Sequence, residues 1–155
     1  AFLCDSEVLV VEDWRSRFDD DGSPIVYYGL KRVLKFIKDT YSSPEIFINE
    51  LGSSFKADYN DAQRVNFLQG HLSQIQRARS EYDVAVTRIH LFTLMDGLEY
   101  ENGFDQTYGL FKTDYLSAEK QTSIRRSGEW LRDWDRTFPQ DSPPSEPIQM
   151  ENLFY

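Results

Sequence analysis

The chain has 155 residues, of which 40% are hydrophobic, and this length is typical of one domain. Its formal charge of −9 and its pI near 4.7 argue against a nucleic-acid partner, because phosphate backbones bind basic surfaces. No apolar run approaches the roughly twenty residues of a membrane-spanning helix. The Cys and His residues lack the spacing of a metal site. We therefore expect no membrane span, no metal and no cofactor.

Cysteine and histidine are scarce in this sequence. Cys4 is the only cysteine, so it is either a free thiol or the partner of a disulfide with another chain. It lies near a terminus, where pairing with a second chain is sterically easy. His71 and His90 stand apart from other residues that could bind a metal. We expect His71 to lie on a helix surface and His90 in a strand, and neither to be a ligand.

The first part of the chain contains one predicted helix and one predicted strand. Residues 1–23 have no regular pattern and are interpreted as a connecting loop with an acidic turn at 19–22. Apolar residues at helical spacing, with lysines on the opposite face, predict a helix over 24–41 that begins at a Ser-Pro pair. The apolar run 46–50 predicts a buried strand, and Gly52 marks the turn after it.

The second part repeats this alternation. Residues 60–63 resemble a capping box and predict the start of a second helix. The β-branched and aromatic run 84–95 predicts a second strand, and residues 108–115 a short extended segment. Ser117 is predicted to cap a last helix that carries Ile124, Leu131 and Trp134. The proline-rich tail is predicted to be irregular.

The order helix, strand, helix, strand, helix is typical of βα units with parallel strands. Two parallel strands alone leave an unpaired edge on each strand and apolar faces that three helices do not cover. Two-stranded sheets are marginally stable even when they are antiparallel. We therefore expect the chain to be part of a larger sheet, completed by another polypeptide or by a removed portion of a precursor.

Glu50 is the candidate site residue that local sequence offers. It lies at the carboxyl end of the predicted strand, where α/β sheets and barrels place their chemistry. The alternative is an ordinary solvated glutamate at a junction between a strand and a loop.

Four stretches carry a resemblance to one known family. Residues 48–52 (INELG) resemble its I/V-T-E-N-G motif, and residues 64–72 (RVNFLQGHL) its R-x-x-Y-L-x-x-H-L helix. Residues 92–100 (FTLMDGLEY) resemble W-S-L-x-D-N-F-E-W, and residues 103–110 (GFDQTYGL) resemble G-Y/F-x-x-R-F/Y-G-L. The family is glycoside hydrolase family 1, the β-glucosidase, lactase and klotho-like group. The resemblance runs from about residue 12 to residue 134.

The family fold is a (β/α)8 barrel, and the resemblance implies that the two strands are its seventh and eighth. Residues 1–138 would then form the C-terminal part of the barrel, and residues 139–155 the irregular tail. The first six strands of a family member carry the acid/base glutamate in a T-x-N-E-P motif, which this sequence lacks. The resemblance thus implies a partner polypeptide that supplies the N-terminal part of the barrel.

The resemblance also implies the roles of individual residues. Glu50 would be the nucleophile, one of the two carboxylates that retaining glycosidases place roughly 5 to 5.5 Å apart. Glu99 would hydrogen-bond sugar hydroxyls, and Phe92 and Tyr100 hold the places of tryptophans that line the sugar pocket. The implied ligand is a β-glycoside or another carbohydrate.

Several positions depart from the family pattern. They are Asn49 for Thr, Leu51 for Asn, Phe92 and Tyr100 for Trp, Gly97 for Asn, and Thr107 for Arg. Each change removes a polar contact or shrinks a ring that faces the sugar. Productive groups must be held within roughly 0.5 Å, so these changes together argue for weakened or lost hydrolysis.

Three hypotheses follow. The first is a secreted or lumenal β-glycosidase-like protein with a degenerate site, of which this chain is the C-terminal part. The second is an active retaining β-glucosidase in two pieces. The third is a non-catalytic structural or recognition module built on the glycosidase fold.

Overall fold

The computed structural model describes residues 17–56, 58–100 and 102–137. Cys4 and the tail 139–155 lie outside the described residues, and so do both ends of the predicted domain 1–138. Six strands and three helices are found in the described part of the chain. The strands form three separate two-stranded sheets.

The central unit is a parallel strand pair joined by a long helix. Strand β3 (Ile46–Leu51) leads into helix α2 (Ala62–Tyr82), which returns the chain to strand β4 (Val86–Leu91). The two strands pair in parallel, with Ile48 opposite Ile89. This confirms the predicted parallel arrangement, although the second strand is shorter than the run 84–95.

Helix α1 (Tyr27–Thr40) packs against α2, and the core lies between these helices and the β3–β4 pair. The buried apolar residues come from all four elements and from the segments that connect them. Leu34 represents α1, Ile75 α2 and Val86 β4, and each is at most 2% exposed. Helix α2 buries the apolar stripe that its periodicity predicts, whereas β3, predicted to be a buried strand, is buried only at Ile46 and Leu51 and leaves Phe47 48% exposed.

The segment before α1 differs from the prediction. Residues Arg17–Phe18 (β1) and Pro24–Ile25 (β2) form a short antiparallel pair, so the helix begins at Tyr27 and not at residue 24. Gly22, at φ +77°, allows the chain to reverse between them. The proline therefore ends a turn instead of starting a helix, and the predicted loop contains an ordered hairpin.

The predicted start of the last helix was also wrong. Phe111–Thr113 (β5) and Thr122–Ile124 (β6) form an antiparallel hairpin, and helix α3 spans Arg126–Thr137. Ser117 lies in the hairpin loop, where its hydroxyl donates to the Asp114 carbonyl at 3.1 Å. Serine favours such turns as well as helix caps, which explains the wrong assignment.

His71 is buried, contrary to the expected position on the helix surface. Helix α2 contacts both α1 and α3, so more of its circumference is covered than one apolar stripe indicates. The His71 ring lies 4.2 Å from the ring of Phe67 and 5.0 Å from the ring of Tyr27, measured between centroids. Its Nδ1 is 2.9 Å from the Phe67 carbonyl oxygen. His90 lies in β4, as predicted.

No helix in the described part of the chain has the length and apolar character needed to cross a membrane. Within residues 17–56, 58–100 and 102–137, no three His, Cys, Asp or Glu side chains come together as a potential metal site.

Candidate functional site

The carboxyl ends of β3 and β4 lie side by side. The Phe92 amide donates to the Leu51 carbonyl at 3.1 Å, directly beyond the paired strands. The chain passes so close here that a Cβ on Gly52 would lie 2.0 Å from the Phe92 carbonyl oxygen. Glycine is therefore required at residue 52 by the close approach of two backbones.

Glu50 is the penultimate residue of β3, and its side chain is exposed. Its carboxylate accepts no hydrogen bond from the described part of the chain and is therefore available to an external group. The neighbouring Leu51 is buried and holds this end of the strand in the core. A rigid strand thus presents a carboxylate at the edge where β4 also ends.

Phe92 packs against Tyr108 in the segment that follows β4. Their ring centroids are 5.0 Å apart and the ring planes are inclined by 68°, an edge-to-face arrangement. The Tyr108 hydroxyl donates to Asp21 Oδ2 at 2.6 Å. Burial, the hydrogen bond to Asp21 and the negative charges of Asp21 and Glu99 all raise the pKa of Tyr108.

Glu99 begins a tight turn. Its amide donates to the Gly103 carbonyl and its carbonyl accepts from the Gly103 amide, both at 2.7 Å. Gly103 has φ +60°, which glycine adopts without steric cost. Tyr100, one residue further on, is 99% exposed. The structure thus packs Phe92 against Tyr108, with Glu50 on the adjacent strand end, places Glu99 in the turn that follows, and leaves Tyr100 projecting into solvent.

A buried ion pair supports the segment after β4. Asp96 and Arg125 form two parallel hydrogen bonds, and Asp96 Oδ1 also accepts from the Gly109 amide at 3.0 Å. Arg125 additionally donates to the Gly109 carbonyl at 2.8 Å. Because Gly109 directly follows Tyr108, this pair fixes the backbone next to the candidate site.

Arg64 connects the loops that follow the two strands. Its Nη2 donates to the Thr107 carbonyl at 2.6 Å and to the Phe55 carbonyl at 3.2 Å. Its Nη1 donates to Asp61 Oδ2 at 2.6 Å, and Asp61 also accepts from the amide and hydroxyl of Ser127. Asp61, which precedes the first residue of α2, therefore uses its carboxylate to join α2 to α3 and not to cap α2.

The acidic turn at 19–22 lies against both loops, which the sequence did not indicate. Asp19 Oδ2 accepts from the Ser53 hydroxyl at 2.7 Å, and Asp20 accepts from the Lys56 amide. Asp21 accepts from Tyr108 and from the side-chain amide of Gln106. The only sequence signal for this contact is the clustering of three carboxylates, which is also typical of an exposed turn.

A parallel β/α unit with polar and aromatic side chains beyond the carboxyl ends of its strands is the arrangement of α/β proteins that bind ligands at that edge. The model of one family, described as Glycosyl hydrolase family 1, matches residues 12–137. The chain belongs to this family. The resemblance carried by the four sequence motifs is thereby confirmed.

Relatives and solved structures agree with this assignment. Beta-glucosidase 24 of Arabidopsis thaliana is 37% identical over 122 residues, which are 70% of this chain and 22% of that protein. Beta-glucosidase 33 of the same plant is 35% identical over 121 residues, or 71% of this chain and 19% of that one. The solved family 1 β-glucosidase from Thermotoga maritima aligns with a TM-score of 0.73 and 26% identity, covering 82% of this chain and 29% of that structure. The chain thus has the fold of part of a (β/α)8 barrel and spans about a fifth of the length of these curated relatives.

Proposed function

We propose that this chain contributes the seventh and eighth strands of a β-glucosidase-like barrel and, with them, the nucleophile side of a sugar site. The observation that carries the proposal is the placement of Glu50 and Phe92 at adjacent strand ends, with Phe92 packed against Tyr108. The rest of the barrel comes from another polypeptide or from a further segment of the same protein.

Exposed faces of the parallel strand pair support completion by further strands. Phe47 in β3 is 48% exposed, and the guanidinium of Arg88 in β4 lies 5.1 Å from its ring centroid. Within the described residues each of these strands pairs only with the other. In a closed barrel both edges would be paired and the inward-facing side chains covered.

In the assembled site, Glu50 would attack the anomeric carbon of a β-glycoside while a second carboxylate protonates the leaving oxygen. That second carboxylate belongs to the completing part of the barrel. Phe92 would offer its ring face to the apolar side of the pyranose, and Glu99 would accept hydrogen bonds from sugar hydroxyls.

Within this proposal we expect a degenerate site. The aromatic rings at residues 92 and 100 are smaller than those of the family pattern, and Asn49, Leu51, Gly97 and Thr107 also depart from it. An active retaining enzyme in two pieces is the second candidate, which the retention of Glu50 and Glu99 favours. A non-catalytic module that uses the glycosidase fold for protein contact is the third.

Hydrolysis of an aryl β-glucoside by the complete barrel assembly separates these candidates. Turnover that Glu50→Gln abolishes would establish the active enzyme. The control is Glu45→Gln, an exposed glutamate just before the same strand, which should leave turnover unchanged. No turnover, combined with binding of the glucose-like iminosugar deoxynojirimycin, would support the degenerate site. A pocket filled by side chains in the assembly would favour the recognition module.

The proposal also includes a partner polypeptide, a disulfide from Cys4 to another chain, and a location for the protein. Native mass measurement followed by sequencing of co-purifying chains would identify the polypeptide that completes the barrel. A non-reducing gel of the wild type and of Cys4→Ser tests the interchain disulfide. We propose an extracellular or secretory-lumen location, which immunolocalisation of the intact protein tests.

A further inference from the structure

The acidic hairpin turn between β1 and β2 is connected to Phe92 through one intermediate side chain. Asp21 accepts a hydrogen bond from the Tyr108 hydroxyl at 2.6 Å, and the Tyr108 ring meets the Phe92 ring edge to face. We propose that Asp21 is a positioning residue for the sugar site, which sets the position of the Phe92 ring through Tyr108. The inference rests on the proposed function, because it concerns the ring assigned there to the sugar.

The connection is specific because the turn is fixed at several other points. Asp19 bonds the Ser53 hydroxyl, and its second carboxylate oxygen accepts from the amides of Asp21 and Ser23 at 3.1 and 2.8 Å. The Asp20 amide also donates to the Ser54 carbonyl at 3.1 Å. The carboxylate of Asp21 is therefore presented to Tyr108 by a turn that is held in place independently of Tyr108.

Tyr108 has little freedom of its own to replace this contact. Its neighbour Gly109 is fixed on both its amide and its carbonyl by the Asp96–Arg125 pair. On the other side, the Thr107 carbonyl accepts from Arg64 and from the Phe55 amide. With the backbone fixed, the ring of Tyr108 is oriented by its contact with the Phe92 ring and by the hydrogen bond from its hydroxyl to Asp21.

Removal of the Asp21 acceptor would release the hydroxyl end of Tyr108 and let the Phe92 ring shift with it. One hydrogen bond of this kind corresponds to a change of roughly three- to tenfold in an equilibrium constant. We therefore expect Asp21→Ala to weaken binding of deoxynojirimycin by that factor, and Tyr108→Phe to have the same effect. Asp21→Asn should restore binding, because its amide oxygen can still accept from Tyr108.

The experiment measures the dissociation constant of deoxynojirimycin by calorimetry on the complete barrel assembly. Asp20→Ala is the matched control, a carboxylate of the same turn whose side chain bonds only the Lys56 amide among the described residues. It should leave the constant unchanged. The double variant Asp21→Ala/Tyr108→Phe should bind no more weakly than Asp21→Ala alone, because that substitution already removes the contact with Tyr108 together with the one to Gln106.

The outcomes separate the two proposals. A wild-type assembly that does not bind deoxynojirimycin overturns both the proposed sugar site and the role of Asp21. A wild type that binds, with Asp21→Ala binding equally well, overturns only the positioning role. A merely structural role of Asp21 predicts an unchanged dissociation constant with fewer binding-competent molecules, or additive effects in the double variant. Either result would overturn the positioning role.

Discussion

Asp96 and Arg125 face each other in a buried, bidentate ion pair, with Nη1 to Oδ1 at 2.8 Å and Nη2 to Oδ2 at 2.6 Å. Both side chains are at most 7% exposed. Arg125→Met leaves the Asp96 carboxylate buried without its partner, so we expect a loss of roughly 3–5 kcal/mol in the free energy of unfolding. Urea denaturation of the complete protein measures it. Arg126→Met, at the exposed neighbouring position, should cost much less, and equal losses would contradict the prediction.

Asp61 is the second buried carboxylate with a joining role. Asp61→Ala removes the acceptor for Arg64 and for both donors of Ser127. Because Arg64 is only 3% exposed, its charge would be left without its carboxylate partner, and we expect a loss of roughly 3–5 kcal/mol. Asp58→Ala is the comparison, since its ion pair with Lys112 is exposed and should contribute much less. A small effect of Asp61→Ala would show that the helix junction does not depend on this carboxylate.

Gly52 allows the backbones at the two strand ends to approach each other. Gly52→Ala places a Cβ 2.0 Å from the Phe92 carbonyl oxygen, so one of the backbones must move. We expect a destabilisation of roughly 1–3 kcal/mol and weaker binding of deoxynojirimycin by the assembly. Gly97→Ala is the control, because no atom lies within 4 Å of its added Cβ. Equal behaviour of the two variants would show that the close approach is not essential.

His71 makes the stability depend on pH. Burial holds the pKa of His71 below its ordinary value of 6.5, so the unfolded chain binds this proton more readily than the folded one. The contribution of neutral His71 to the free energy of unfolding is fully present above pH 6.5. It decreases as the pH falls from 6.5 toward the lower pKa that His71 has in the folded protein. Denaturation at several pH values should show this decrease in stability for the wild type. The variant His71→Phe, which keeps the ring packing but cannot be protonated, should show a smaller decrease. Identical pH profiles would contradict the prediction.

The chain on its own should not behave as a compact protein. Exposed apolar side chains occur on α1 and β3, with Val33, Phe36 and Phe47 each about half exposed or more. We expect the isolated polypeptide to aggregate or to form a loosely packed state that binds hydrophobic dyes. Size-exclusion chromatography and near-UV circular dichroism measure this. A monomer with one sharp thermal transition would contradict it.

The central βαβ unit could be predicted because its elements are long and periodic. The apolar run of β3, the buried stripe of α2 and the β-branched run of β4 each favour one secondary structure. The first hairpin was missed, and of the second only strand β5 fell within a predicted extended segment, because strands of two or three residues are too short to show a period. Ser117 also satisfied the rule for a helix cap equally well from within a turn.

Some features of the candidate site could also be predicted from the sequence, and others could not. Glu50, Phe92 and Glu99 could be named because they stand in short motifs of one family. The contact between Asp21 and Tyr108 joins residues 87 positions apart and has no local signature. The burial of His71 involves its contact with Tyr27 of helix α1, which the pattern of one helix does not contain.

The guanidinium of Arg64 holds the carbonyls of Phe55 and Thr107 from a position inside helix α2. One side chain therefore joins the loops that follow β3 and β4, so we expect a displacement of helix α2 to move both loops together. Changes in ligand preference can arise from substitutions on a helix that never touches the ligand. A mutational search restricted to the mouth of the barrel would overlook them.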